Sequence, residues 1–229
     1  TDPAGLQAVV AAERAQVGIA LDGDADRVIA VDELGQVVDG DHIIAICALD
    51  LRNRGLLRDD TVVVTVMTNL GFRLAMEAAG ISGVETPVGD RYVLEAVGRG
   101  GYSLGGEQSG HVIFADRATT GDGLLTGLVL LDVVHRSGRP LSELAASAMT
   151  QLPQVLVNVP VAARSDDAVA LLAADVAAWE QRLGQTGRIL VRSSGTEPLV
   201  RIMVEAPTRE LANEVAASLR DALVEVTAR

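Results

Sequence analysis

The sequence contains no lysine, so all 19 basic side chains are arginine. Arg is the better bidentate phosphate ligand, but a total absence of Lys reads as a composition bias of the genome rather than a functional choice. Cysteine occurs once, at Cys47, which excludes an internal disulfide. Within its apolar helical pattern this thiol is expected to be an inert core side chain of a cytoplasmic protein. Aromatic residues make up only 2% of the chain, and the core must therefore be built from Ala, Val, Leu and Ile. No apolar run reaches membrane-spanning length: residues 43–49 are ended by Asp50, and 124–134 are interrupted by Thr126, Gly127 and Asp132. No secretory signal is expected from the opening residues, although the chain opens on Thr1 rather than Met, so Thr1 need not be the native start. The net charge of −12 leaves no general affinity for nucleic acid or anionic membrane. An anionic ligand must be met by local positive groups.

What the chain does have is 229 residues, 48% of them hydrophobic, enough for one large domain or two smaller ones. The most informative stretch is Asp22-Gly23-Asp24-Ala25-Asp26-Arg27. It places three carboxylates at i, i+2 and i+4 between two short apolar runs that read as strands, residues 17–21 and 28–31. Carboxylates this close repel unless a cation sits among them, and hard oxygen ligands suit a divalent ion. The plain alternative is a solvated Asp-Gly turn. A calcium loop of the EF-hand type fails because position six is Arg27 instead of Gly and the flanks are strands.

From Gly40 onward helices and strands alternate, which predicts a three-layer α/β domain with a mixed sheet. Helices are expected over 41–54, 69–79, 90–99, 122–136 and 140–149, with strands at 61–66, 84–86, 102–104 and 112–114. After a linker at 150–153 a smaller α+β domain follows: a strand at 155–159, one long helix over 166–183, a hairpin over 188–205 and a closing helix over 209–226. A first helix begins after Asp2-Pro3 and carries Leu6, Val9 and Val10 on one face.

Three further loops look chemical. Gly105-Gly106-Glu107-Gln108-Ser109-Gly110-His111 concentrates a carboxylate, an amide, a hydroxyl and an imidazole between glycines, suited either to a polyhydroxylated ligand or to a flexible connector. Arg192-Ser193-Ser194-Gly195-Thr196-Glu197-Pro198 forms a hairpin tip with Arg201 on the returning strand; backbone N–H groups, hydroxyls and two Arg suit a phosphate dianion, and an ordinary Ser-Gly turn is the alternative. Val88-Gly89-Asp90-Arg91-Tyr92 and Thr119-Thr120-Gly121-Asp122-Gly123 each precede a helix. Asp90 and Asp122 are expected to cap those helices, and Arg91 could face the cleft of the acidic loop.

In this order, DGDADR, VGDRY, GGEQSGH, TTGDG and RSSGTEPLVR closely resemble the α-D-phosphohexomutase superfamily over the whole chain, and GEQSGH resembles its glucosamine branch. The resemblance implies that Asp22, Asp24 and Asp26 bind magnesium (Mg²⁺), with Arg27 beside the reacting phosphate. It implies that Arg91 and His111 contribute charge and proton transfer and that Glu107 and Ser109 hold sugar hydroxyls. Arg192, Ser193, Ser194, Gly195, Thr196 and Arg201 would then grip the non-reacting phosphate. The implied reaction interconverts a hexosamine 6-phosphate and 1-phosphate through a sugar bisphosphate, for amino-sugar and cell-wall precursor synthesis. A phosphomannomutase/phosphoglucomutase and a non-catalytic sugar-phosphate binding module remain the alternatives.

One departure matters. The family's phosphorylated serine sits in a Ser-His-Asn-Pro setting, and no Ser-His pair occurs here. The expectation is a C-terminal portion: residues 1–38 as the end of domain 2, 39–150 as domain 3 and 151–229 as domain 4. The expected partners are a phosphosugar and the missing N-terminal domains, with a homodimer left open. Such a piece is expected to bind metal weakly and to be inactive alone.

Overall fold

The computed structural model describes residues 2–161, 166–194 and 197–227 and divides into two compact units, 1–150 and 151–229. In the first unit, helix α1 (Ala4–Glu13) packs on strand β1 (Val17–Leu21), where a side chain at Gly18 would strike Val10 at 2.5 Å. Val10 is buried, but Val9, expected on the same face, is 57% exposed, because adjacent helical residues stand about 100° apart. Strands β2 (Val28–Asp32) and β3 (Val37–Val38) complete a small antiparallel sheet ordered β1-β2-β3. Its β2–β3 turn is held by the Asp32 carboxylate, which accepts from Leu34 N–H at 2.9 Å and Gln36 N–H at 2.8 Å.

A second sheet is ordered β5-β4-β6-β7, from β4 (Thr61–Thr65), β5 (Ser82–Thr86), β6 (Leu104–Gly106) and β7 (Val112–Phe114). The first three run parallel and β7 is antiparallel. Their helices are α2 (Gly40–Asn53), α3 (Leu70–Ala78), α4 (Asp90–Gly100), α5 (Gly123–Ser137) and α6 (Leu141–Ala148). Alternation along the all-buried β4 divides the layers. Val62 and Val64 join the main core with α2, α3, α5 and α6 residues, while Val63 packs with Val93 and Val97 of α4. This is the expected three-layer arrangement on a mixed sheet. Cys47 lies inside the main core, and burial pushes its thiol up to about 12.

One strand is displaced from its expected position. The pattern predicts a strand over 102–104, yet β6 is Leu104-Gly105-Gly106. Tyr102 folds its ring onto Gly100, and the Ser103 hydroxyl is taken by Arg58 N–H at 3.0 Å and Leu56 O at 3.2 Å. The glycines are strand residues because nothing larger fits: a Cβ at Gly105 would meet Val97 at 2.7 Å and one at Gly106 would meet His111 O at 2.7 Å.

The second unit is an antiparallel sheet, β8 (Gln154–Pro160), β10 (Leu199–Glu205) and β9 (Arg188–Ser193) in that order, with α7 (Asp166–Leu171), α8 (Ala173–Leu183) and α9 (Arg209–Thr227). The single long helix expected over 166–183 is instead two, separated at the fully buried Leu172, whose N–H bonds to Val169 O three residues back. Trp179 anchors the core, donating to Ser218 Oγ at 3.1 Å beneath the Arg182 guanidinium. Among the described residues no helix is long and apolar enough to cross a membrane.

Candidate metal centre and ligand cleft

The acidic stretch is a tight loop between β1 and β2. Ala25 takes a left-handed φ of 62°, its N–H bonds to Asp22 O at 3.2 Å, and Arg27 N–H reaches Asp22 Oδ1 at 3.2 Å. This winding turns alternate residues the same way: one carboxylate oxygen from each of Asp22, Asp24 and Asp26 lies within 4.8 Å of the others. The loop is fastened to its neighbours through the main chain. Val28 N–H bonds to Gly110 O at 3.1 Å, Gly123 N–H bonds to Ala25 O at 2.9 Å, and Arg27 and His111 form an antiparallel bridge.

The charges around this loop are unbalanced. Arg27 Nε stands 3.8 Å from both Asp22 Oδ2 and Asp26 Oδ1, and His111 Nε2 stands 3.8 Å from Asp26 Oδ2. Asp26 Oδ1 and His111 Nδ1 are buried and make no hydrogen bond. Burial, with the charges of Asp24 and Asp22, raises the Asp26 carboxyl above its ordinary range. Burial also pulls Asp22 upward, but the Arg27 N–H, a hydrogen bond with Asp26 and the Arg27 charge outweigh it, and the net shift is downward.

Magnesium fits this donor set. Octahedral Mg²⁺–O bonds of about 2.1 Å separate opposite ligands by about 4.2 Å, so three oxygens already within 4.8 Å need only small movements. The orphaned Asp26 oxygen supplies an unused ligand atom. The pH sign follows from Asp26. Its folded pKa lies above the unfolded one, so without a cation the stabilisation is present at acid pH and is lost as pH rises through the folded value. Metal ligation requires the ionised carboxylates. The melting temperature of this chain is therefore expected to rise with millimolar Mg²⁺ near neutral pH and not at about pH 4. A scanning-fluorimetry series with equal shifts at both pH values would remove the three carboxylates as ligands.

A cleft of about 400 Å³ lies alongside, lined by Arg27, Thr65, Met67, Val88, Glu107, Gln108 and Ser109. Its glycine-rich wall is a tight turn in which Gly110 N–H bonds to Glu107 O and Glu107 N–H to His111 O, each at 2.9 Å. Glu107 Oε1 accepts from Gly89 N–H at 2.9 Å, tying this wall to the start of α4, while Ser109 is exposed. Gly121 lies flat against the His111 ring, where any Cβ would overlap the imidazole. Asp122 caps α5 as expected, accepting from Leu125 N–H at 2.8 Å. Asp90 does not cap α4: Gly89 holds the cap position, and the Asp90 carboxylate accepts from the adjacent Arg91 N–H. Arg91 does not line the cleft, because its exposed guanidinium pairs with Glu95 at 2.7 Å one turn along the same helix. Thr65, Met67 and Val88 were not foreseen. Their only sequence signal was position, at or just beyond the carboxyl ends of parallel strands, where α/β sheets take ligands.

The second unit holds the arginine-serine hairpin. Arg192 on β9 and Arg201 on β10 are direct cross-strand partners, a like-charged juxtaposition that is unfavourable without an anion. Burial and the Arg201 charge lower the Arg192 pKa. Arg201 Nε is buried and makes no hydrogen bond, and Arg201 Nη2 lies 3.7 Å from Glu197 Oε2. Ser193 ends β9. Ser194 is buried, donating N–H to Leu199 O at 2.9 Å and accepting from Glu197 N–H at 3.4 Å. Gly195 and Thr196 lie outside the described residues.

Known proteins resemble this chain over most of its length. The family model "Phosphoglucomutase/phosphomannomutase, alpha/beta/alpha domain III" matches residues 39–152, and the C-terminal domain model of the same family matches 156–222. Phosphoglucosamine mutase from Frankia alni is 62% identical over 223 residues, 95% of this chain and 49% of that protein. The Streptomyces avermitilis phosphoglucosamine mutase is 59% identical over 224 residues, 97% of this chain and 49% of that one. Among solved structures, Aspergillus fumigatus N-acetylphosphoglucosamine mutase in complex with GlcNAc-6P and magnesium superposes with a TM-score of 0.75 at 26% identity, over 90% of this chain and 51% of that one. A Burkholderia thailandensis phosphoglucomutase/phosphomannomutase family protein gives 0.77 at 25%, over 98% and 50%. The chain thus spans about half the length of the curated relatives it matches, and it belongs to the phosphoglucomutase/phosphomannomutase family.

Proposed function

We propose that this chain carries the metal, sugar and phosphate sites of a cytoplasmic phosphoglucosamine mutase, an isomerase that moves a phosphoryl group between the 6- and 1-oxygens of glucosamine phosphate. The observation that carries this reading is the convergence of Asp22, Asp24, Asp26, Arg27 and His111 beside a cleft walled by Glu107 and Ser109. Residues 1–38 are assigned to the end of domain 2, 39–150 to domain 3 and 151–229 to domain 4.

The three aspartates would hold Mg²⁺, which when bound neutralises charge on the transferring phosphoryl group. Arg27 adds a guanidinium beside that charge. His111, buried against Gly121, would hold or release a proton at the reacting sugar oxygen. Glu107 accepts from sugar hydroxyls, Ser109 donates or accepts, and Arg91 contributes charge once it leaves Glu95. Arg192, Ser193, Ser194, Gly195, Thr196 and Arg201 receive the phosphate that is not reacting. The phosphoryl-carrying serine is assigned to the additional length that the relatives possess, since this chain has no Ser-His pair.

The test is a coupled assay for conversion of glucosamine 6-phosphate to glucosamine 1-phosphate with Mg²⁺ and a sugar-bisphosphate primer. The full-length gene product is expected to turn over and this chain to be inactive. Turnover by this chain would place the phosphoryl carrier within 1–229, and preference of the full-length product for mannose 6-phosphate would overturn the substrate assignment.

A further inference from the structure

Helix α2 begins with two carboxylates, and only one of them is needed to start it. Asp39 is the N-cap: its Oδ1 accepts from His42 N–H at 3.1 Å and bonds the His42 ring Nδ1 at 2.8 Å. Asp41, two residues on, is 0% exposed. A carboxylate kept wholly from water is costly unless its bonds position something. Its Oδ2 accepts from Asn69 N–H at 2.8 Å across 28 residues of sequence.

Asn69 closes the loop that follows β4. It is itself fully buried, and its Oδ1 accepts from Gly71 N–H at 2.9 Å to cap α3. Within that loop Met67 N–H bonds to Thr65 Oγ1 at 3.3 Å and Thr68 N–H to Thr65 O at 3.0 Å. Thr65 and Met67 form one wall of the cleft. The residue before Asp41 grips the other wall: Gly40 N–H bonds to Gln108 O at 3.2 Å. A Cβ at Gly40 would come within 2.7 Å of Gln108 O and 2.6 Å of Gly110 N. Two consecutive residues at one rigid helix start therefore hold two cleft walls at a fixed separation.

We propose that Asp41 is a positioning residue for the sugar phosphate, setting the gap between the Thr65–Met67 wall and the Glu107–Ser109 wall. This rests on the cleft being the phosphosugar site. A wall that shifts loses contacts made equally in the ground state and the transition state, a loss that raises KM and leaves kcat nearly unchanged. In the full-length gene product Asp41→Ala is expected to raise KM for glucosamine 6-phosphate about tenfold, with kcat within about threefold of wild type. Asp41→Asn keeps an acceptor for Asn69 N–H and is expected to restore KM to within about threefold. Should Asp41→Ala fail to fold, Asp41→Ser, whose hydroxyl is too short to reach Asn69 N–H, carries the same test.

Hydrogen exchange on this chain supplies a readout independent of turnover. Amides 67–69 are expected to exchange faster in Asp41→Ala and at the wild-type rate in Asp41→Asn. An unchanged KM in Asp41→Ala, an equal loss in the Asn variant, or unaltered exchange would each overturn the positioning role. Absence of mutase activity in the wild-type full-length product would overturn the functional reading instead, leaving the exchange result to decide what Asp41 holds.

Discussion

Replacing Asp24 by Asn in the full-length gene product is expected to lower kcat/KM for glucosamine 6-phosphate by about a thousandfold. The amide preserves size and shape but exchanges an anionic oxygen for a weaker donor in a set of three. Metal neutralisation of a transferring phosphoryl group is worth several kcal/mol, and each 1.36 kcal/mol is a factor of ten in rate, so a loss of about 4 kcal/mol accounts for the figure. Asp24 is the most exposed of the three, and the substitution leaves core packing untouched. The measurement is the coupled assay across a Mg²⁺ titration. Activity within tenfold of wild type, at unchanged Mg²⁺ dependence, would mean that the metal does not sit in the acidic loop.

The Gly110→Ala change is expected to destabilise this chain by about 4 kcal/mol, without touching a charged group. Gly110 has a φ of 94°, and a Cβ there would overlap the carbonyl of Val28, the residue to which the glycine-rich loop is bonded. A non-glycine residue in such backbone costs about 1–3 kcal/mol, and forcing a methyl into a closed contact costs about 1–3 more. Gly35 provides the comparison. Its φ is 80° but nothing lies within 4 Å of its Cβ position, so Gly35→Ala is expected to cost only about 1 kcal/mol. Denaturant unfolding followed by circular dichroism reads both, and equal losses would show that the Val28 contact yields without cost.

The alternation of helix and strand was legible because each element carries its own period: 61–65 is an unbroken β-branched run, and the α4 stripe of Val93 and Val97 repeats at helical spacing. The acidic loop was legible because its chemistry is written in consecutive residues. The rest is written across the fold. Gly105 and Gly106 look like loop residues and are strand residues because Val97 and Ile44 occupy the space their side chains would need. The opposition of Arg192 and Arg201 follows from hairpin register, and two arginines nine positions apart do not reveal it by spacing. Met67 reaches the cleft only because β4 is the central parallel strand, and Asp41 matters only because Asn69 comes back to it. The pairing of Arg91 with Glu95 was present in the sequence as an i, i+4 pair, and it competes with the cleft-facing orientation expected from its place at the start of the helix.

The main-chain bonds that join Val28 to Gly110 and Arg27 to His111 tie the acidic loop to the glycine-rich loop, and the bond from Gly123 to Ala25 ties both to the start of α5, so the three form one hydrogen-bonded piece. On the proposed reaction, this piece cannot follow first one end of the sugar and then the other. A bisphosphate must invert within the cleft, so the loop's grip on the sugar has to be strong enough for transfer yet weak enough to let go once per cycle. An exposed Ser109 and a Glu107 that already has Gly89 N–H as an alternative partner suit such a grip. The pace of the whole cycle would then be governed by how readily those two residues release a hydroxyl.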